Sequence, residues 1–296
     1  MDSTTAAAPD ETVTPAETRE HVLKISGRGY TVVRHILAEL PADAEGRPSV
    51  LGPMVTDRKR RSLQLYLLLL TVWPWLETQD NPFLPAETWA RALRTDRGRQ
   101  WTPTNVSSAW SDLERRGLIE RHRHPRAVAV VPRREDGKAK YTKPGRIKND
   151  RRETYFVLPR EFWTEEWFEQ LTMPGLAMLL IIAAETSNKT EVWLTNEHAA
   201  KWYGLSSRSV EAGIADLNKH GLLKDREEWV KAPLSAIGTT KRHWYSLTAP
   251  FSYTARTAIQ QAAQSEFKAR TGAKPRKESA APTKMKAKKK PAEDTP

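Results

Sequence analysis

The 296-residue chain has no cysteine. Disulfides and every cysteine-based zinc or iron–sulfur centre are excluded, and a reducing cytoplasm is compatible. Long apolar runs are missing too. The two greasiest stretches, Leu63 to Leu76 and Leu171 to Ala184, span about 14 residues each, short of the roughly 20 that a membrane helix needs. They are expected to be buried core helices, with no membrane partner. Residues 1–20 hold five acids, one base (Arg19) and no apolar core, which predicts disorder and excludes a secretory signal there. No G-x-x-x-x-G-K-[ST] phosphate loop is present. His122 and His124 stand two apart among arginines, and no nearby acid or histidine completes a metal set. Glu165 and Glu166 are adjacent carboxylates without a histidine or nucleophile at motif spacing. The chain is therefore expected to be no enzyme and to hold no metal or cofactor. A carboxylate-dependent nuclease leaves almost no sequence trace, and that class stays open.

Positive charge is what the chain has in excess. Lysine and arginine number 48 against 36 acids, a net charge of +12, and the pI is near 9.8. The distribution says more than the total. Arg121 to Arg152 holds twelve bases against Glu135, Asp136 and Asp150, and residues 268–290 hold ten bases against Glu278 alone. Charge kept only for solubility would be mixed over the surface. Two loaded segments point instead to a polyanion, whose phosphates relieve the self-repulsion. A hydrophobic fraction of 39% with 11 tryptophans supports folded cores, and the length suits two modest domains.

The segment WTPTNVSSAWSDLERRGLIERHRHPRAVAVVPRR, Trp101 to Arg134, organises the rest. Thr102 is a good N-cap, Pro103 sits where its missing N–H costs nothing, and Val106, Trp110 and Leu113 recur along one face. A helix over Thr102 to Arg116 is predicted, ended by Gly117, where a left-handed backbone suits glycine. Its other face carries Thr104, Asn105, Ser107, Ser108, Ser111 and Arg115, short polar groups suited to base edges and phosphates. Taken alone, such a helix is more often an amphipathic surface helix with a solvated face.

Upstream, from His21, a short strand or loop is expected and then a helix over about residues 30–40, and Pro41 to Pro53 reads as a linker. Arg58-Lys59-Arg60-Arg61 precedes an apolar helix, Ser62 to Trp73, that Pro74 bends or ends. The quartet opposes the macrodipole, and facing phosphate or being merely solvated are equally open to it. A helix over Pro85 to Arg94 follows, with the polar turn Thr95 to Gln100. Downstream comes a strand, a basic hairpin arm with a flexible middle over Arg133 to Asp150, and a strand over Thr154 to Leu158.

The pattern then repeats. Ser206 to Glu227 matches at a constant offset of 104: Val106 with Val210, Trp110 with Ile214, Asp112 with Asp216, Leu113 with Leu217, Gly117 with Gly221. At an offset of 110, Leu84 pairs with Leu194 and Ala90 with Ala200. Both halves resemble winged helix-turn-helix domains of the MarR and GntR type, and YGLSSRSVEAGIADLNKHGLL, with Ser206 as N-cap, is the cleaner copy. The tandem arrangement is similar to plasmid replication initiators built from two winged helices.

The resemblance implies a mainly α fold with small β-hairpin wings (α+β). It divides the chain into a disordered acidic tail (1–20), an extension and linker (21–56), a first winged unit with a long basic wing (57–157), a second (158–252), a C-terminal helix (253–270) and a disordered Lys-rich tail (271–296). It implies sequence-specific binding of double-stranded DNA, most simply by a cytoplasmic transcriptional regulator that associates with the nucleoid when bound. A plasmid or phage replication initiator is the alternative, and a protein-interaction or chromosome-organising module a further one. The expected contacts are Thr102, Thr104, Asn105, Ser107, Ser108, Ser111 and Arg115 on the helix. On the arm they are Arg121, Arg123, Arg126, Arg133, Arg134, Lys138, Lys140, Lys143, Arg146 and Lys148, and in the second copy Ser207, Arg208 and Ser209. The second copy is the weaker candidate: Leu158 to Pro250 has twelve acids against ten bases, with Glu211 and Asp216 on or near its helix. Phe162, Trp163, Trp167 and Phe168 are expected in the core. A thin apolar stripe on the C-terminal helix, Ile259, Ala262, Ala263 and Phe267, is expected to dock on the domain or on a second protomer in a homodimer.

Overall fold

The computed structural model describes residues 13–271 apart from positions 43, 45, 81, 97, 99, 125–126, 146–149 and 151. In chain order the elements are α1 (Pro15–Ile25), β1 (Tyr30–Arg34), a 3-10 turn (His35–Leu37), α2 (Leu51–Thr56), α3 (Arg60–Leu76), α4 (Ala86–Leu93), α5 (Pro103–Arg115), β2 (Ile119–His124), β3 (Ala127–Pro132) and β4 (Tyr155–Pro159). Then follow α6 (Glu161–Thr164), α7 (Trp167–Gln170), α8 (Met173–Glu185), β5 (Val192–Trp193), α9 (Asn196–Tyr203), α10 (Ser207–Lys219), β6 (Leu223–Lys231), β7 (Thr239–Leu247) and α11 (Tyr253–Thr271). The fold is α+β, and its sheets are small and antiparallel: β1 with β4, β2 with β3, and a three-stranded sheet in the order β5, β7, β6. Among the described residues no helix is long and apolar enough to cross a membrane.

Both greasy runs are core helices. In α3 Leu63, Leu65, Tyr66, Leu67 and Leu69 are fully buried, and in α8 so is every residue from Leu176 to Ala183. A helix apolar all round has no face to give to water. One continuous apolar cluster holds both helices together with Phe162, Trp163 and Phe168, as their composition predicted. The α3 helix passes Pro74 by two residues before it ends.

Around each core helix the chain runs through the same sequence: a core helix, two further helices, then a hairpin. The two third helices are built alike. Thr102 caps α5 and shares a reciprocal capping box with Asn105, while Ser206 Oγ accepts from Ser209 N at 3.2 Å to cap α10. Gly117 and Gly221 both follow with positive φ, +73° and +67°. At the crossing with the core helix, buried Ala109 in α5 corresponds to Gly213 in α10, where an added Cβ would lie 2.6 Å from the Pro174 carbonyl.

The N-terminal region departs from expectation. Helix begins at Pro15, inside the stretch read as disordered, because Thr14 and Glu17 form a capping box and Pro15 is preset for the first turn. Arg19, counted there only as a lone base, is buried. It donates to the carbonyls of Ala92 (3.3 Å) and Arg94 (2.8 Å) at the end of α4 and pairs with Glu166 at 2.5 Å. Tyr30 to Arg34 is a strand, not the start of a helix, as the run Thr31-Val32-Val33 favours. The linker expected to Pro53 gives way to α2 at Leu51.

The strand expected to close the wing does something else. β4 pairs with β1, with Val32 opposite Val157, so the hairpin beside α5 consists of β2 and β3 alone. The described part of the arm between β3 and β4 is anchored at several points within the stretch read as flexible; residues 146–149 lie outside the described residues. Arg34 is fully buried and donates from Nη1 to Glu135 Oε2 (2.8 Å) and from Nη2 to Thr142 O (2.5 Å), with Glu153 at 3.4 Å and the Tyr141 ring beneath the guanidinium. Glu135 is itself wholly buried, and burial pushes its carboxyl up against the pull of Arg34. Tyr66 Oη donates to the Arg133 carbonyl at 3.0 Å, holding the same arm to α3.

At the C-terminus of α8 Arg256 of α11 donates to Ala183 O (2.7 Å) and Thr186 O (2.9 Å), and also to Phe251 O (2.8 Å). Burial pulls its pKa down to about 10, so it stays a cation that caps the C-terminus of α8. Of the apolar stripe on α11, Ile259 and Ala263 lie half-buried beside α1 and β1, and Phe267 is exposed.

Arg34→Met leaves Glu135 buried beside no cation and is expected to cost about 3–5 kcal/mol in urea unfolding. Arg34→Met with Glu135→Leu is expected to recover most of that loss; no recovery would show that the pair is not the source.

Candidate nucleic-acid interface

The polar face of α5 and the basic start of α3 share one cleft. About 250 Å3 in volume, it is lined by Arg58, Lys59, Arg60, Arg61, Asn105 and Ser108, with Trp101, Asp112 and Glu169 at its walls. The quartet is thus brought beside the helix. Its members differ in freedom. Arg60 pairs with Glu169 at 3.0 Å and donates to the Phe168 carbonyl, tying α3 to α7. Arg61 donates to Gln100 O at 3.2 Å and lies 5.5 Å above the Trp101 ring, which fixes the turn before α5. Arg58 is exposed, with a left-handed φ of 55°, and Lys59 keeps only a 3.9 Å contact to Asp112.

Asp112 sets the angle between these helices. Its carboxylate sits at the N-terminus of α3, takes hydrogen bonds from Ser62 and Arg115, accepts from Arg116 Nε at 3.1 Å, and Arg116 in turn reaches Asp57 at 2.6 Å. Burial raises its pKa, but the hydrogen bonds from Ser62, Arg116 and Arg115 outweigh burial, and the net shift is downward. Asp216 occupies the equivalent place in the second unit, accepting from Thr172 N and Thr172 Oγ1, both at 2.8 Å, at the start of α8. The acid counted against DNA contact on α10 therefore points inward, and a carboxylate at a helix N-terminus is stabilising.

Thr104, Ser107, Ser108 and Ser111 are exposed along α5. Ser111 Oγ returns to the Ser107 carbonyl (3.0 Å), and Thr102 is engaged as the cap. Asn105 is half-buried, and its Oδ1 accepts from Thr102 N at 3.2 Å. That leaves both hydrogens of Nδ2 and one lone pair of Oδ1 to meet a ligand. Arg115 is 72% exposed and leans on Asp112.

Much of the basic arm is neutralised where it stands. Arg121 Nε donates to Glu114 at 2.9 Å, Arg133 pairs with Glu120, and Arg134 Nη2 pairs with Asp136 at 2.7 Å. Lys138, Lys140 and Lys143 are exposed. Arg126, Arg146 and Lys148, like the Lys-rich tail, lie outside the described residues, as does the side chain of Arg123. In the second unit Ser207 and Arg208 are exposed, Ser209 Oγ lies 3.0 Å from Ser206 Oγ, and Glu211 accepts from Asn196 at 3.1 Å. No basic quartet precedes α8: the residues before it, Phe168 to Thr172, carry Glu169 and no base.

Comparison with protein-family models, with curated proteins and with solved structures yields no match to this chain.

The depressed pKa of Asp112 fixes a sign. Its contribution to stability is complete above the ordinary carboxylate value of about 3.9 and is lost as the pH falls through the lower folded value. Asp112→Asn is expected to reduce stability at neutral pH and to flatten the acid limb of the unfolding curve; an unchanged acid limb would remove Asp112 from this role.

Proposed function

We propose that the chain is a sequence-specific double-stranded DNA-binding protein of two winged helix-turn-helix units, most simply a transcriptional regulator. The observation that carries the reading is the shared cleft, where the small polar side chains of α5 lie beside Arg58 and Lys59 at the N-terminus of α3. In a major-groove complex α5 meets base edges, while the cluster and the helix end take the flanking phosphate. Phosphate contacts position the protein and the α5 side chains specify. With its oxygen shared with the cap, Asn105 reads an acceptor such as a purine N7 through Nδ2. The β5, β7, β6 sheet behind α9 and α10 supports the same reading of the second unit. A homodimer on paired half-sites belongs to the proposal.

The repeat favours a replication initiator as a second reading, since two like units suit directly repeated sites. Footprints over tandem repeats at an origin would select it, and one short palindrome at a promoter would select the regulator.

Asn105→Ala is expected to narrow the gap between selected and random duplexes by about 1–3 kcal/mol, measured by fluorescence anisotropy with residues 272–296 removed. Equal losses on both duplexes would sink the role of Asn105. Arg58→Ala is expected to weaken both alike and to lower the slope of log K against log salt by about one.

A further inference from the structure

The second hairpin is built unlike the first. β6 and β7 pair over nine residues, from Leu223 opposite Leu247 to Lys231 opposite Thr239, an arm of roughly 30 Å. Only its root is buried, at Leu223, Tyr245 and Leu247. Its far end is ordered: Ala232 N donates to Gly238 O (2.8 Å), Ser235 N to Ala232 O (2.9 Å) and Ser235 Oγ to Thr239 O (2.9 Å). That ordered tip presents Leu234 at 102% and Ile237 at 72% exposure, with Trp229 below them at 59%. Of the seven large apolar side chains exposed among the described residues, three are on this arm. Between Trp229 and His243 there are three bases, Lys231, Lys241 and Arg242, and no acid. Arg242 lies 4.8 Å from the Trp193 ring, and Lys241 lies 5.2 Å from the Trp229 ring while bonding Glu227.

We infer that the β6–β7 arm distorts DNA, with Leu234 and Ile237 entering the minor groove as a wedge and Lys231 and Arg242 meeting the phosphates on either side. The inference rests on the reading that the chain binds duplex DNA. Magnitudes decide among occupants. The tip offers on the order of a few hundred Å2 of apolar surface, below the roughly 1,000 Å2 of a specific protein interface. Burying two aliphatic side chains in a bilayer is worth about 1.5–3 kcal/mol each, too little for a stable anchor. On DNA the same two side chains need only offset a few kcal/mol of unstacking, helped by counterion release at the two unpaired cations and by contacts elsewhere on the bent duplex. The arm gives the second unit a role that needs no basic cleft beside α10.

The test uses the full chain and a duplex of roughly 30 base pairs, rich in A·T, with 2-aminopurine at a central TA step and fluorophores at its ends. The wild-type chain is expected to raise 2-aminopurine emission and shorten the end-to-end distance. Leu234→Ser with Ile237→Ser, at exposed positions, is expected to abolish both signals with at most a tenfold loss of binding. A bound duplex that stays straight and stacked, or a double variant that bends it as well as wild type, overturns the wedge and leaves the role of α5 intact. Bending that survives Asn105→Ala and Arg58→Ala, with no change in discrimination or salt slope, overturns the role of α5 and leaves the wedge. No duplex binding at all overturns both. Co-sedimentation with phosphatidylglycerol vesicles that is lost in the double variant, together with a straight duplex, would assign the tip to lipid.

Discussion

A carboxylate at the head of a core helix is the contact on which both halves depend. Asp112 on α5 and Asp216 on α10 reach the N-termini of α3 and α8 from equivalent positions, 104 residues apart. Each meets free backbone or hydroxyl donors at the positive end of the helix dipole, so hydrogen bonding and electrostatics favour the same geometry. Because the carboxylate is on the third helix, it fixes how that helix crosses the core helix, and with it the direction of the polar face. In the first half this same contact brings Asn105 and Ser108 up to Arg58 and Lys59. In the second the crossing is tight enough that only glycine fits at position 213.

Charge that looks like one basic arm in sequence is two populations in space. Arg34, Glu135 and Glu153 form a buried group that ties the arm to β1, and Arg121, Arg133 and Arg134 each have a carboxylate at hand. A buried pair of this kind contributes little net stability compared with apolar residues but strongly penalises any arrangement that separates its members. It therefore acts on where the arm lies. Among the described residues the uncommitted cations include Arg58 and Arg208 beside their helices and Lys138, Lys140 and Lys143 along the arm.

The local signals were legible where short-range chemistry dominates. Thr102, Pro103 and Gly117 bounded α5, Ser206 and Gly221 bounded α10, and the apolar runs became the buried helices α3 and α8. What could not be read depends on partners distant in sequence. Arg19 looked like a lone base in an acidic tail, and its place at the end of α4, 73 residues away, leaves no periodic trace. Arg34 and Glu135 are likewise 101 residues apart. β4 was visible as a strand, but its pairing with β1 and not with the wing is a matter of register between distant segments. For the candidate site, the side-chain types on α5 were apparent, whereas the capping use of Asn105 and the cleft shared with the quartet required coordinates.

Helix α8 is gripped at both ends by charge of the appropriate sign, Asp216 of α10 at its N-terminus and Arg256 of α11 at its C-terminus. A rod apolar on every side offers few directional contacts along its length, so these two charged ends, together with the close crossing of α10 at Gly213, define its rotation and its axial position. The third helix of the second unit and the last helix of the described chain are thereby referred to a single axis. Sliding α8 toward either end lengthens the hydrogen bonds at one charge while crowding the other, and the arm that leaves α10 inherits that fixed origin.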